Sequence, residues 1–154
     1  MMRLRIYIDT SVIGGCLDKE FQNASRQLID KFKQGEMIAV ISELTTLELK
    51  DAPQEVRDII REIPEENIDY EELTEEAVNL ARKYIVEGVI GEGKLVDAEH
   101  IAIATINRVD VLVSWNFRHI VNLSKIRGYN SVNLKYGYPL LEIRSPLEVI
   151  TYEE

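Results

Sequence analysis

The segment Leu4-Arg5-Ile6-Tyr7-Ile8-Asp9-Thr10-Ser11 changes within a few residues from strand-like alternation to consecutive polar residues. Apolar and polar side chains alternate over its first part, which is the period of a half-buried strand. The three polar residues that follow are favoured at the N-termini of helices, where their side chains accept hydrogen bonds from free backbone N–H groups. The segment therefore predicts a strand that passes directly into a helix, with Asp9 at the carboxyl end of the strand.

The chain beyond this segment continues to alternate strand-length and helix-length patterns. Short, mainly apolar runs predict buried strands at residues 37–41 and 109–114. Apolar residues at helical spacing predict helices at residues 20–34, 43–50, 53–63, 74–84 and 97–106. Strands separated by helices form parallel sheets that are covered on both faces. We therefore predict a single α/β domain over residues 1–154, a three-layer α/β/α sandwich around a parallel sheet of four or five strands.

The last part of the chain carries weaker signals. The Tyr- and Asn-rich segment 128–139 predicts a loop, and residues 140–143 and 147–150 predict terminal strands on either side of Pro146. An earlier loop contains three glycines whose spacing fits neither the dinucleotide-binding nor the P-loop pattern: Gly88, Gly91 and Gly93. This mismatch argues against phosphoryl transfer on a small molecule.

The composition indicates a cytoplasmic protein. The chain has 154 residues, of which 45% are hydrophobic and 29% charged, values typical of a soluble domain. No apolar run approaches the roughly 20 residues of a membrane span, and the N-terminal residues lack the features of a signal peptide. Cys16 is the only cysteine, so an internal disulfide is impossible and a reducing compartment is expected.

The charge is unevenly distributed. The net charge of −9 disfavours a nucleic-acid partner, since Lys and Arg supply most of the affinity for phosphates. Residues 51–99 hold 15 acidic and 5 basic residues, whereas residues 101–144 hold 6 basic and 2 acidic ones. The acidic part is either a solvated helical surface or a region that binds a partner or a metal. The basic part remains able to bind a phosphate backbone.

Four oxygen-bearing side chains are predicted to meet at the carboxyl edge of the sheet, where sites form in parallel folds. Asp9 ends the first strand, Asn116 follows the strand at 109–114, Asp97 begins the preceding helix, and Glu48 lies on the helix after the second strand. Taken singly, each has a structural explanation as a helix cap, a turn former or a solvent-facing residue. Together, such crowded carboxylates repel one another unless a cation neutralises them. Oxygen ligands favour hard ions, so Mg²⁺ or Mn²⁺ is expected.

Four segments in this order resemble the motifs of PIN-domain nucleases, which include the VapC-type toxins of toxin–antitoxin operons. Residues 6–11 resemble the first motif, and residues 42–48, a serine followed six positions later by Glu48, resemble the second. Residues 97–105 resemble the third, an aspartate that opens an alanine-rich helix, and residues 111–116 match the fourth. The resemblance covers residues 4 to about 123.

The resemblance implies a metal-dependent endoribonuclease that hydrolyses RNA phosphodiesters with Mg²⁺ or Mn²⁺. Its implied metal ligands are Asp9, Glu48 and Asp97, with Asn116 as a fourth catalytic position. The implied substrate-binding residues, which would contact the RNA backbone or the reacting phosphate, are Thr10, Ser11, Arg118, His119 and Lys125. For the two hydroxyls, helix capping is an equally good interpretation. Trp115 either stacks on a base or packs in the core.

The fourth motif departs from the family pattern, and this leaves a second hypothesis open. PIN nucleases commonly have an aspartate where this chain has Asn116. An amide oxygen can ligate a metal but brings no charge. The alternative is therefore a catalytically weak or inactive PIN-like module that binds RNA or a protein. The resemblance further implies a homodimer and, for a toxin, an antitoxin partner.

Overall fold

The computed structural model describes residues 2–152, which form a five-stranded sheet with helices on both faces. The strands are β1 (Arg5–Ile8), β2 (Ile38–Ser42), β3 (Ile68–Glu71), β4 (Val111–Val113) and β5 (Ile143–Arg144). The helices are α1 (Thr10–Gly15), α2 (Gln22–Lys33), α3 (Glu43–Leu49), α4 (Gln54–Arg61), α5 (Glu75–Val86), α6 (Leu95–Ile106), α7 (Leu123–Lys135) and α8 (Pro146–Val149).

All strand pairs are parallel, in the order β3-β2-β1-β4-β5. β1 is central and pairs Tyr7 with Val40 on one side and with Leu112 on the other. Because the pairs are parallel, the carboxyl ends of β1, β2 and β4 lie at the same edge of the sheet. The predicted α/β fold class is confirmed, and the sheet has five strands, the larger of the two predicted numbers.

The side chains of β1 alternate between two apolar cores. Tyr7 packs with α5, α6 and α7, in a cluster that contains Leu80, Ile101 and Tyr129. Ile6 and Ile8 pack with the opposite layer, which is formed by α1, α2, α4 and α8. β1 is thus buried on both faces, as a strand in the centre of a parallel sheet must be.

The C-terminal predictions are partly wrong. Most of the segment 128–139 belongs to α7, which begins after Asn122 and buries Tyr129 and Val132 against the sheet. Residues 147–150 belong mainly to α8 and do not form a strand, because Pro146 occupies a first-turn position where its fixed φ favours a helix. Only the end of 140–143 is in a strand. β3 was not predicted, because its polar sequence at the sheet edge lacks an apolar run.

No helix within residues 2–152 is both long and apolar enough to cross a bilayer.

Candidate functional site

Asp9 is a buried carboxylate at the carboxyl end of β1. Its side chain accepts hydrogen bonds from the hydroxyls of Ser11 and Ser114, both at 2.6 Å, and the residue is only 5% exposed. Burial raises the pKa of Asp9, although the charge of His100 and the two hydroxyls oppose the shift. None of the ion pairs found among the described residues includes Asp9. A carboxylate in this setting is stabilised by a nearby cation.

Ser114 connects Asp9 to Asn116 at the end of β4. The Ser114 hydroxyl accepts the Asn116 backbone N–H at 2.9 Å while donating to Asp9. The Asn116 side-chain oxygen accepts the His119 N–H at 2.9 Å, and its amide nitrogen lies 3.4 Å from Oδ2 of Asp97. A backbone N–H only donates, so the amide oxygen must face His119. Asn116 therefore presents a donor, and not a ligand oxygen, to Asp97.

Asp97 lies in the first turn of α6 and is partly buried. The N-cap residue of α6 is Lys94, so Asp97 does not cap its own helix. Its carboxylate is joined to Asp9 through Asn116 and Ser114. The structure thus brings together these two acids, which are far apart in sequence.

Glu48 reaches the site from α3. Its Oε1 accepts hydrogen bonds from Nε2 of His100 at 2.7 Å and from the Thr10 hydroxyl at 2.8 Å. Partial burial tends to raise the pKa of Glu48, but the His100 and Thr10 hydrogen bonds outweigh it, so the pKa falls below its ordinary value. Its side chain is 40% exposed, consistent with a carboxylate at the rim of the site.

His100 belongs to the site but was not assigned a role from the sequence. It is 2% exposed, and its Nδ1 lies 2.6 Å from the hydroxyl of Tyr7. It follows Asp97 by three positions on α6, so the two residues are neighbours on the helix surface. The available signal was a histidine beside the Ile- and Ala-rich part of α6, since a buried imidazole requires polar partners.

The two predicted substrate-binding hydroxyls contact the acids. Thr10 donates to Glu48, and Ser11 donates to Asp9 while accepting the Trp115 backbone N–H at 2.9 Å. Both hydroxyls therefore orient carboxylates in this arrangement.

The predicted basic residues lie on the segment after β4. Arg118 is exposed, and His119 is partly buried. Burial lowers the pKa of His119, and the charge of Lys94 lowers it further, which places Lys94 beside these residues as a cation that sequence reasoning missed. The His119 Nδ1 has no hydrogen-bond partner within the described chain. Lys125 donates to the Val89 carbonyl at 2.6 Å.

Trp115 packs in the core. Its ring stacks on Phe21 at a centroid distance of 4.2 Å, and its Nε1 donates to the Ser25 hydroxyl at 2.8 Å. It is 7% exposed, so it offers no face for stacking on a base.

The predicted ligands have the oxygen atoms that a divalent cation prefers, although these atoms are not gathered around a common point. Carboxylate oxygens are the ligands that Mg²⁺ and Mn²⁺ prefer, and the desolvated Asp9 has no ion-pair partner among the described residues. Within residues 2–152, no three His, Cys, Asp or Glu side chains are close enough to share an ion. Glu48 is instead turned toward His100 and Thr10.

Solved structures with a similar fold include a VapC toxin, a VapBC complex and a toxin–antitoxin complex. A toxin–antitoxin complex from Klebsiella pneumoniae aligns over 73% of this chain and 88% of its own, with 19% identity and a TM-score of 0.53. Mycobacterium tuberculosis VapC20, described as a sarcin–ricin loop cleaving toxin, aligns over 73% and 91%, with 13% identity and a TM-score of 0.56. DNA-bound VapBC from Salmonella typhimurium aligns over 93% and 98%, with 15% identity and a TM-score of 0.55.

This protein has a VapC-like PIN fold. At these identities the likeness establishes the fold, which agrees with the four motifs. No protein-family model matches the sequence, and no curated protein matches it significantly. The VapC-like fold places the C-terminal ends of β1 and β4, and with them Asp9 and Asn116, at one edge of the sheet.

Proposed function

We propose that this protein is a metal-dependent endoribonuclease of the PIN type and the toxin of a toxin–antitoxin pair. The observation that supports this proposal is the buried Asp9 carboxylate, joined through Ser114 and Asn116 to Asp97 at the carboxyl edge of the sheet. Mg²⁺ or Mn²⁺ would be held by Asp9, Asp97 and Glu48. When bound, the ion supplies Lewis acidity to the scissile phosphodiester.

The remaining side chains orient the ligands and bind the substrate. Ser11 and Ser114 fix the two oxygens of Asp9, and Asn116 fixes Asp97 through its amide nitrogen. Thr10 donates to Glu48. Arg118, His119 and Lys125 would bind the RNA backbone; Lys125 can do so while it contacts Val89, because an ammonium group has three donor hydrogens.

The proposed partners follow from the structural neighbours. The structure from Klebsiella pneumoniae is a toxin–antitoxin complex, and that from Salmonella typhimurium is a DNA-bound VapBC. We therefore propose an antitoxin as the protein partner of this chain; the homodimer that we also propose rests on the resemblance to PIN-domain nucleases alone. Size-exclusion chromatography with light scattering, alone and with the product of the neighbouring reading frame, tests both.

The test of the activity is cleavage of structured RNA by the purified full chain. Cleavage should require Mg²⁺ or Mn²⁺ and stop on addition of EDTA. Asp9→Asn should lower the rate by at least about 100-fold, more than the 10–100-fold loss expected when a residue that only orients a ligand is changed. Asp30→Asn, which alters an exposed carboxylate on α2, is the matched control and should cleave normally. Cleavage that survives Asp9→Asn would overturn the site assignment.

A second candidate is a PIN-like RNA-binding module with little turnover. It is favoured by the orientation of Asn116, whose oxygen is occupied by the His119 N–H. Metal-dependent RNA binding with no cleavage of any RNA tested would support this candidate.

A further inference from the structure

A buried hydrogen-bond chain ends at Glu48. The Ser42 hydroxyl lies 2.8 Å from the Tyr7 hydroxyl, which lies 2.6 Å from Nδ1 of His100, and Nε2 of His100 lies 2.7 Å from Glu48. Ser42 and Tyr7 are fully buried and His100 nearly so. Glu48 is the one member that reaches solvent. A chain of this kind can set the position of its exposed end from inside the core.

The directions of these hydrogen bonds can be assigned from their ends. The ionised Glu48 carboxylate only accepts, so Nε2 of His100 donates to it. When the imidazole is neutral, its Nδ1 accepts the Tyr7 proton, and when it is protonated, its Nδ1 donates to the Tyr7 oxygen. With a neutral imidazole, the Tyr7 oxygen accepts the proton of Ser42, whose oxygen also accepts the Leu44 N–H as the cap of α3. In that state every donor points along the chain toward Glu48, an arrangement in which successive bonds strengthen one another.

The chain joins the elements that carry the three proposed ligands. Ser42 and Glu48 stand at opposite ends of α3. Tyr7 lies on β1, two residues before Asp9, and His100 lies on α6, three residues after Asp97. A shift of any of these elements would therefore be transmitted to Glu48, whereas an unsupported glutamate at the rim would sample many rotamers.

We propose that His100, held by Tyr7, is a positioning residue that fixes the Glu48 carboxylate at the cation site. This inference rests on the proposed function. His100 and Tyr7 are buried behind Glu48, and they act through it, without contact with the RNA. Partners of this kind commonly set the affinity of a metal site, because a ligand that is already oriented loses less freedom on binding.

The experiment measures Mn²⁺ affinity of the full chain from the free-ion EPR signal, together with thermal unfolding in EDTA. Tyr7→Phe removes the donor to His100, and His100→Leu removes the donor to Glu48. Both should weaken Mn²⁺ binding by about 10-fold or more. His100→Gln keeps an N–H that can reach Glu48 and should recover most of the affinity.

The matched control is Tyr84→Phe. Tyr84 is also buried and donates its hydroxyl to Asn133, but it is not part of the chain. Tyr84→Phe should lower the unfolding temperature about as much as Tyr7→Phe while leaving Mn²⁺ affinity unchanged. This pair separates a loss of stability from a loss of positioning.

The outcomes are distinguishable. If the native protein binds Mn²⁺ and cleaves RNA, but Tyr7→Phe and His100→Leu bind Mn²⁺ normally, the positioning role is wrong and the proposed function stands. Tighter binding by His100→Leu would also overturn it, since His100 would then compete with the metal for Glu48. If Tyr84→Phe weakens Mn²⁺ binding as much as Tyr7→Phe does, the weaker binding results from lost stability and the positioning role is wrong. Failure of the native protein to bind Mn²⁺ would overturn the metal site itself.

Discussion

Asn116 is held in one orientation by a backbone contact. Its oxygen accepts the His119 N–H, which leaves the amide nitrogen facing Asp97. An aspartate at this position could still accept from His119, but it would place a second negative charge beside Asp97. The amide therefore lowers the repulsion at the site in the absence of metal, at the cost of a weaker attraction for a cation.

This argument predicts opposite effects of Asn116→Asp on stability and metal binding. Without metal, the variant should lose about 1 kcal/mol of unfolding free energy, the scale of one lost hydrogen bond. Its affinity for Mn²⁺ should rise by about tenfold or more, because a full charge is added close to the ion. Urea unfolding in EDTA and Mn²⁺ titration measure the two effects. Asn79→Asp, an exposed change on α5, is the control. If it changes stability and Mn²⁺ affinity in the same way, the effects do not come from the contact of Asn116 with Asp97.

Burial opposes ionisation of the Cys16 thiol in the folded protein. The thiol is fully buried, and burial raises its pKa from 9.0 to about 11. As the pH rises across this interval, the thiol ionises in the unfolded chain while it stays protonated in the folded protein. The unfolded state is thereby favoured, so stability should fall as the pH increases from about 9 to 11.

The measurement is urea unfolding of the native protein and of Cys16→Ala over this pH interval. Between about pH 9 and 11 the free energy of unfolding should fall more in the native protein than in the variant. Near neutral pH it should vary with pH to the same extent in both proteins. The buried tyrosines, whose pKa values are also raised by burial, contribute equally to both proteins. Parallel curves would show that Cys16 does not contribute.

The contact between α1 and α2 depends on the absence of a side chain at Gly15. A Cβ there would lie 2.6 Å from the Ser25 hydroxyl and 2.8 Å from Nε1 of Trp115. These two atoms are hydrogen-bonded to each other, and Trp115 directly precedes Asn116. The position of α1 is thus linked to the site through the tryptophan.

Gly15→Ala should destabilise the protein by about 1–3 kcal/mol, the usual cost of an overpacked core. Gly14→Ala is the matched control, since a Cβ at Gly14 meets nothing within 4 Å. It should be neutral or slightly stabilising, because alanine restricts the unfolded chain. Equal destabilisation by both substitutions would mean that helix α1, and not the close contact, is responsible.

α7 shows how burial overrides a weak local signal. Its Tyr- and Asn-rich sequence has modest helix propensity, but Tyr129 and Val132 fill the core beneath the sheet, and the Asn122 side chain caps the first turn. Two of its asparagines are bonded to other parts of the chain, Asn133 to Tyr84 and Asn130 to Leu141. These contacts are made only when the helix is packed, so they could not be inferred from local spacing.

The charge of the whole molecule sets the conditions for RNA binding. A net charge of −9 repels a polyanion, so the exposed cations near the site must provide the attraction. Arg118 is exposed beside the proposed RNA path. Each phosphate contact contributes about one unit to the dependence of binding on salt.

Arg118→Ala should therefore weaken RNA binding and reduce the slope of log affinity against log salt by about 1. The titration is carried out in the Asp9→Asn protein, so that the RNA stays intact, and at constant Mg²⁺. Arg26→Ala, an exposed change on α2, should leave the slope unaltered. An unchanged slope for Arg118→Ala would remove this residue from the substrate path.

The order of the elements from β1 to β4, apart from β3, and the positions of Asp9, Glu48, Asp97 and Asn116 along them followed from the sequence alone. Hydrophobic periodicity reports which faces are buried, and parallel strands separated by helices place their carboxyl ends together. Tertiary structure decided the hydrogen-bond partners: it turned Glu48 toward His100, gave Asn116 a donor role, and buried Trp115 against Phe21. These contacts join residues far apart in the chain, and local patterns do not encode the distances between them.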